Sequence, residues 1–198
     1  MENIDLIENP YAPPNAELEN PKDTSEHFYV VSIQKFTVLF LSTIGLYTIY
    51  WFYANWKRYR YAAGYKIWPI PRAIFSIFFA HSLFDKVQTG LKRRGQEYKW
   101  MPSTVATLYV IIAILGNVMD SIAVKGIWSP YSDVLSVLSV FALYFILVKP
   151  QRAINLSEGD PGGISNSSFN VVNYVWVGLG LVIWSFVIIG LVYTFGLA

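Results

Sequence analysis

The chain has 198 residues, of which 54% are hydrophobic and only 14% are charged, with a formal net charge of +2. Soluble domains carry roughly 25% charged residues, so this composition excludes an ordinary soluble protein and predicts an all-α integral membrane protein. The sequence contains no cysteine, which excludes disulfides, thiolate nucleophiles and cysteine-ligated metal sites.

The charges are separated along the chain. Residues 1–26 contain seven acids and one lysine, a net charge of −6, whereas residues 55–101 contain ten bases and two acids, a net charge of +8. Cytoplasmic loops of membrane proteins are enriched in Lys and Arg, so this pattern predicts that residues 55–101 are cytoplasmic.

The first 30 residues are acidic and rich in Pro and Asn, and they cannot bury much apolar surface. We therefore expect residues 1–30 to form a mobile tail, followed by a single helical membrane domain over residues 31–198. No basic region followed by an apolar core is present at the start, so no cleaved signal peptide is expected.

The first apolar run covers the 21 uncharged residues 36–56. At 1.5 Å per residue its length matches the ~30 Å hydrocarbon core of a bilayer, which predicts a transmembrane helix and places the tail outside. The alternative is a break at Thr43-Ile44-Gly45, which would make the segment a re-entrant hairpin and keep the tail inside.

The stretch YTIYWFYANWKRYRY predicts one helix from Tyr47 to Tyr61 whose last turns emerge at the cytoplasmic headgroups. Its aromatic side chains point all round the helix, which is typical of an interfacial belt and argues against a nucleic-acid-binding surface. The residues predicted to lie at the headgroups are Trp51, Trp56, Lys57, Arg58 and Arg60.

The rest of the chain contains three longer apolar runs and one shorter segment. The run that begins at 132 is expected to end at Lys149-Pro150, because proline disrupts a helix interior. The segment that starts after Pro69 is apolar over only 12 residues, too few to cross, and reads as an amphipathic helix that is interfacial or re-entrant. The fold predicted is about four transmembrane helices plus this short helix, with the further spans at about 103–124, 132–148 and 171–195 and the short helix at about 71–90.

The segment Thr43-x-Gly45-x-Tyr47-x-x-Tyr50-Trp51-x-Tyr53, closing in Asn55-Trp56-Lys57, resembles a motif of small multi-pass bacterial membrane proteins. These proteins form families of unknown function that carry a T-x-G-[ILV]-Y-x-x-Y-W signature. The tail sequence Asn9-Pro10-Tyr11-Ala12-Pro13-Pro14 also resembles tails of bacterial inner-membrane proteins. The resemblance implies a location in the bacterial inner membrane and brings no activity or catalytic residue with it.

His81 and Asp85 stand four residues apart and share one helix face. Such a pair can act as a general base and its orienting group, or bind a metal, with Arg72 as a candidate third group. The interpretation we favour is an interfacial helix with a polar edge, so no metal or cofactor is expected.

Two further groups of residues are candidates for function. Asn117 and Asp120 are polar residues inside a predicted span, where ionisable groups are costly, and they could share an interhelical hydrogen bond. The basic residues beside the amphipathic helix predict contact with anionic lipid headgroups; they are Lys86, Lys92, Arg93 and Arg94.

Three functions remain open at this point. The first is a non-enzymatic accessory, scaffold or assembly subunit with a protein partner or a second copy of the chain. The second is a small transporter, channel or lipid-handling protein that uses Asp120 and Asn117. The third is a membrane enzyme at the cytoplasmic headgroup face that uses His81, Asp85 and Arg72.

Overall fold

The structure, a computed structural model, describes residues 27–196, and these form helices joined by turns and extended segments. Most of the predicted tail, including Asn9 to Pro14, lies outside the described residues. Three helices, α5, α6 and α7, are long and apolar enough to cross a membrane. The helices are α1 (Ile33–Ser42), α2 (Tyr47–Ala63), α3 (Pro69–Ile74), α4 (Ser76–Arg93), α5 (Pro102–Val124), α6 (Tyr131–Ser157) and α7 (Val171–Thr194), with a 3₁₀ turn at Ile164–Asn166.

The first apolar run is broken into α1 and α2, so the prediction of one continuous helix over 36–56 is wrong. The Thr43 hydroxyl donates to the Leu39 carbonyl (2.7 Å) and accepts from the Tyr47 N–H (3.0 Å), which ends one helix and caps the next. Between them Ile44 (φ 51°) and Gly45 (φ 80°) adopt the left-handed conformation that reverses the chain.

The two ends of this broken run lie together. The Phe28 and Tyr59 rings stack with centroids 5.7 Å apart, and the Tyr29 N–H donates to Asn55 Oδ1 (3.0 Å). The 10 residues of α1 extend only about 15 Å, half of a bilayer core. The segment therefore folds back on itself at the break that the hairpin alternative predicted, and neither α1 nor α2 is among the described helices long and apolar enough to cross a membrane.

Helix α2 covers the predicted range Tyr47 to Tyr61, which confirms that helix. Its indoles are not at a lipid-facing surface, however, because Trp51 and Trp56 are fully buried. Two rings of α4 pack edge-on against these indoles: Phe84 against Trp51, and Phe79 against Trp56. The interfacial belt prediction is thus wrong for Trp51 and Trp56: aromatic residues all round a helix also suit a helix enclosed by its own protein.

The short amphipathic segment consists of two helices, α3 and α4, which meet at Phe75 and extend the predicted range 71–90. Pro69 is the first residue of α3, and the first turn of a helix is a position that favours proline. Along α4, Leu83, Val87 and Leu91 are buried on one face, whereas the basic side chains near its end are exposed. The apolar face of α4 packs on α5 and α6 rather than on lipid.

Helix α6 continues through Pro150 to Ser157, so the predicted end at Lys149-Pro150 is wrong. The physical reason is tertiary contact beyond the proline. Gln151 and Asn155 are both fully buried and bind the chain before α1, which stabilises the last two turns despite the missing proline N–H.

The extended segment Phe28–Ser32 lies in the middle of these helices and pairs its backbone with side-chain amides. On one side the Tyr29 and Val31 backbone groups bind amides from α2 and α6. On the other side the Val30 carbonyl accepts from Asn166 Nδ2 (2.8 Å), and the Ser32 N–H donates to the Asn166 carbonyl (3.4 Å). Residues 28–30 are buried, so the mobile-tail prediction is wrong for them.

Helix α7 lies against α1 through a single close approach. Gly180 is the one buried residue among those described in α7, and the Trp184 indole N–H donates to the Leu41 carbonyl (2.7 Å). A Cβ on Gly180 would lie 2.0 Å from the Ser42 carbonyl oxygen, so only glycine permits this contact.

We expect Asn155→Ala to lower the free energy of unfolding by about 3 kcal/mol, because it leaves the Val31 N–H and C=O buried without partners. Unfolding in detergent by heat or denaturant measures this. Asn117→Ala is the matched control, since Asn117 is exposed and donates only to its own helix, to the Ala113 carbonyl. Equal effects of the two substitutions would contradict the role of the amides.

We expect Gly180→Ala to destabilise the packing of α7 on α1 by about 1–3 kcal/mol through overpacking against the Ser42 backbone. A lower midpoint of thermal unfolding in detergent is the measurement. Gly178→Ala and Gly190→Ala are the controls, because a Cβ at either position meets no atom within 4 Å. A loss of stability of the same size in all three variants would refute the close approach.

Candidate functional sites at the cationic end

Almost all the cations lie at one end of the fold. We call this the cationic end; it comprises residues 27–35, 55–101 and 149–170, which include the last turns of α2, α4 and α6 and the segment that leads into α5. Of the 14 Lys and Arg residues in the described part of the chain, 13 belong to it. Lys125, in the turn between α5 and α6, is the exception.

A cleft of about 610 Å³, called here the basic cleft, opens between the ends of α4 and α6. Lys86, Arg93 and Arg94 line it together with His27, at the start of the described chain. Lys86 Nζ lies 4.8 Å from the centre of the Tyr59 ring, and Arg93 Nη1 lies 3.1 Å from His27 Nε2. The structure thus gathers three of the four residues that the sequence predicts as headgroup contacts beside α4.

Glu158 is the acid that lines this cleft. Its Oε2 accepts from the His27 N–H (2.9 Å), and burial raises the pKa of the carboxyl although Arg94 and Arg58 oppose that shift. Among the described residues, three basic side chains therefore face one carboxyl, and their formal charges give this lining a net positive charge.

A second, smaller cavity of about 350 Å³ surrounds the start of α1 and is called the polar cavity. Lys35 lines it and is only 3% exposed. The ammonium donates to Asn166 Oδ1 (2.7 Å) and to the Ser168 carbonyl (2.8 Å), and no described carboxylate forms a salt bridge with it. Burial lowers the pKa of Lys35, as expected for a charge held by neutral oxygens alone.

The polar cavity adjoins an apolar cavity of about 700 Å³ between the α1–α2 turn, α3 and the first turns of α7. Tyr50, Asn170 and Asn173 line both cavities. Asn170 caps α7 by accepting from the Asn173 N–H (2.9 Å), while the Asn173 side chain accepts from the Asn170 N–H (3.1 Å). The two cavities therefore lie side by side, the polar one lined by Lys35 and Arg58 and the apolar one lined mainly by hydrophobic side chains.

The candidate catalytic residues His81, Asp85 and Arg72 contact different parts of the protein. His81 Nε2 lies 3.1 Å from the Thr107 hydroxyl, and Asp85 is exposed. The Arg72 guanidinium lies over the Trp56 ring at 4.4 Å, and burial lowers its pKa. None of the three lines any of the cavities described above. Within residues 27–196, no group of three or more His, Asp or Glu is placed to hold a metal ion.

Asn117 and Asp120 are likewise separate. Asn117 Nδ2 donates to the Ala113 carbonyl of its own helix (2.7 Å), whereas Asp120 Oδ1 accepts from the Ser136 hydroxyl of α6 (3.4 Å). Asp120 thus takes part in an interhelical hydrogen bond, as expected, but Asn117 does not join it, because its amide donates within its own helix.

The cations that follow the aromatic stretch lie against aromatic rings. Lys57, Arg58 and Arg60 lie over the rings of Tyr53, Tyr29 and Tyr61, at 5.7, 5.6 and 4.8 Å from the ring centres. Lys92 is exposed on α4. Their contact with headgroups stays a prediction.

The sequence interpretation missed Lys35, which it treated only as the boundary of an apolar run. The signal that could have found it is the polar cluster Asn166, Ser168, Asn170 and Asn173 ahead of the last span. Such a group of amides and hydroxyls can surround a buried cation, but only the fold shows which cation.

No protein-family model matches the chain, and no curated protein and no solved structure shows significant similarity to it.

Proposed function

We propose that the protein is a non-enzymatic accessory protein of the bacterial inner membrane that binds anionic phospholipid headgroups at the cytoplasmic face. The basic cleft is the observation that carries this proposal. Among residues 27–196, it brings Lys86, Arg93 and Arg94 together beside a single carboxyl, that of Glu158. Basic side chains near a membrane surface each contribute about 1 kcal/mol of attraction to anionic lipid.

The charge distribution supports the orientation. Cytoplasmic loops carry the excess of Lys and Arg, so the cationic end faces the cytoplasm. Helix α5 then leads outward, α6 returns, and α7 leads outward again. The turn at Lys125 between α5 and α6 would be periplasmic, and residues 158–170 would return to the headgroup level.

The lack of convergence among the candidate catalytic residues favours binding over catalysis. An enzyme built on His81 and Asp85 needs an orienting third group within hydrogen-bond reach, and Arg72 instead lies on the Trp56 ring. A headgroup-binding cleft needs only donors and positive charge. Of the alternatives to an accessory role, lipid handling fits the same cleft. A transport path at Asn117 and Asp120 has less support, because these two side chains bind different partners.

We expect the double variant Lys86→Gln, Arg94→Gln to bind dioleoyl phosphatidylglycerol about tenfold more weakly than the native chain, because two cations leave the cleft. Native mass spectrometry of delipidated full-length protein in non-ionic detergent measures the lipid bound in a titration. The matched control is Lys66→Gln, Lys99→Gln, which removes two exposed cations that do not line the cleft.

A third variant should strengthen the binding of phosphatidylglycerol instead of weakening it. Glu158→Gln removes the carboxyl of the cleft while keeping an acceptor for the His27 N–H, so phosphatidylglycerol should bind several-fold more tightly. Dioleoyl phosphatidylcholine, which has no net charge, should respond to none of these variants. Equal loss in the cleft variant and its control would refute the cleft as the binding site.

Cysteine labelling tests the orientation, because the native chain contains no thiol. We expect single cysteines at Gln34 and Ala62 to react only with reagents that enter the cytoplasm, and one at Lys125 to react with an impermeant reagent from outside. Gln34 separates the two topologies: a single crossing over 36–56 would place it on the side opposite Ala62. Labelling of Ala62 from outside would overturn the orientation.

A further inference from the structure

We propose that an anionic phospholipid occupies the polar and apolar cavities together, with its phosphate at Lys35 and an acyl chain in the apolar cavity beside α7. This site is separate from the basic cleft and does not rest on the function proposed above. Its chemistry follows from three features: a buried cation that has no counter-ion within the described part of the chain, a helix start that favours anions, and an adjoining apolar space.

Lys35 supplies the charge. The ammonium has three N–H donors, and its two hydrogen bonds to the Asn166 and Ser168 oxygens use two of them. A buried charge is costly unless an opposite charge accompanies it, and within residues 27–196 no carboxylate forms a salt bridge with Lys35. A phosphate in the polar cavity would supply that charge and accept the third donor.

The rest of the polar cavity also suits an anion. Arg58 lines it and is held over the Tyr29 ring, so a second positive charge faces the same space. Asn170 and Asn173 line it at the start of the 24-residue helix α7. The N-terminal end of a helix carries a partial positive charge and N–H groups without intrahelical partners. Of the residues that the structure describes, the ionisable ones that line this cavity are all cationic or phenolic.

The apolar cavity lies beside the polar one and shares Tyr50, Asn170 and Asn173 with it. It runs along α7 from Asn170 to Trp176, about 9 Å of helix, and reaches Leu46 in the turn between α1 and α2. Its volume of about 700 Å³ falls in the range of ligand-binding pockets. A molecule that fills both cavities must have an anionic head and an apolar chain in that order, starting at the headgroup level.

The exposed surface of α7 argues for a lipid rather than a soluble anion. Helix α7 has the highest mean hydropathy of the three candidate spans, 2.5, and its outer surface is exposed in the fold. An acyl chain can therefore enter the apolar cavity laterally from the bilayer that surrounds α7. A small phosphate compound would fill the polar cavity and leave the apolar one without an occupant.

Native mass spectrometry of delipidated full-length protein, titrated with dioleoyl phosphatidylglycerol, tests the site. We expect Lys35→Gln to weaken the binding of one lipid at least about tenfold, since a charge-assisted hydrogen bond is lost. Lys57→Gln is the matched control, because it removes an exposed cation of α2 that lines neither cavity.

A second variant acts on the acyl chain and does not touch the buried charge. Val172→Trp places a large side chain into the apolar cavity from a position that is 61% exposed, and should also weaken binding about tenfold. Val175→Trp is its control, since Val175 is exposed on α7 but does not line the cavity. Thermal unfolding of every variant shows which of them fold.

The outcomes separate this site from the basic cleft. Loss in the Lys35 and Val172 variants with unchanged binding in both controls supports the proposal, whatever the cleft variants do. Native-like lipid binding by folded Lys35→Gln and Val172→Trp would overturn it. Competition by glycerol phosphate as strong as by the lipid would show a small-anion site instead, and equal binding of dioleoyl phosphatidylcholine would show that charge does not select the ligand.

Discussion

A strand-like segment needs partners for its backbone, and in this protein side-chain amides take the place of neighbouring strands. The N–H and C=O groups of residues 29 and 31 point to one side of Phe28–Ser32 and those of residues 30 and 32 to the other, as in any extended chain. Hydrogen bonds on the first side come from the side chains of Asn55, Gln151 and Asn155. Those on the second side come from Asn166. An unpaired buried backbone group costs about 1–3 kcal/mol, so these amides determine where the segment lies.

The chain reversal at Thr43-Ile44-Gly45 and the continuation of α6 past Pro150 both follow from this requirement. The reversal returns α2 to the level at which Asn55 meets Tyr29. The extra turns of α6 bring Asn155 to Val31. Each feature departs from a simple hydropathy pattern, and each provides a hydrogen-bond partner that the segment would otherwise lack. The same segment also separates the two cationic sites, because His27 and Phe28 line the basic cleft while Tyr29 and Val30 line the polar cavity.

The sequence predicted the parts of the fold that depend on local chemistry. Three apolar runs appear as α5, α6 and α7, and the aromatic stretch appears as α2. The break at Gly45 was one of two alternatives, because a run of 21 uncharged residues has the length of a span whether or not it is bent. The burial of Trp51 and Trp56 was not predictable, since an aromatic collar suits a headgroup layer and a protein interior equally.

The candidate sites depend on contacts between distant parts of the chain, which periodicity does not reveal. Three of the four basic residues beside α4 do come together in a cleft, as their spacing near one helix end allows. The Lys35 ammonium donates hydrogen bonds to oxygens of Asn166 and Ser168, which lie more than 130 residues away in the sequence. No local pattern indicates that pairing, and the charge of Lys35 alone marks only the edge of an apolar run.

The distance in sequence between the extended segment and its amides also sets an order of events during synthesis. Val31 and Asn155 are separated by 124 residues, which a ribosome adds in roughly 6–25 s at 5–20 residues per second. Until α6 has left the ribosome, the backbone of residues 29–31 has no complete set of partners and must stay in contact with water or headgroups. Residues 29–32 therefore reach their final position only after Asn155 and Asn166 have been made.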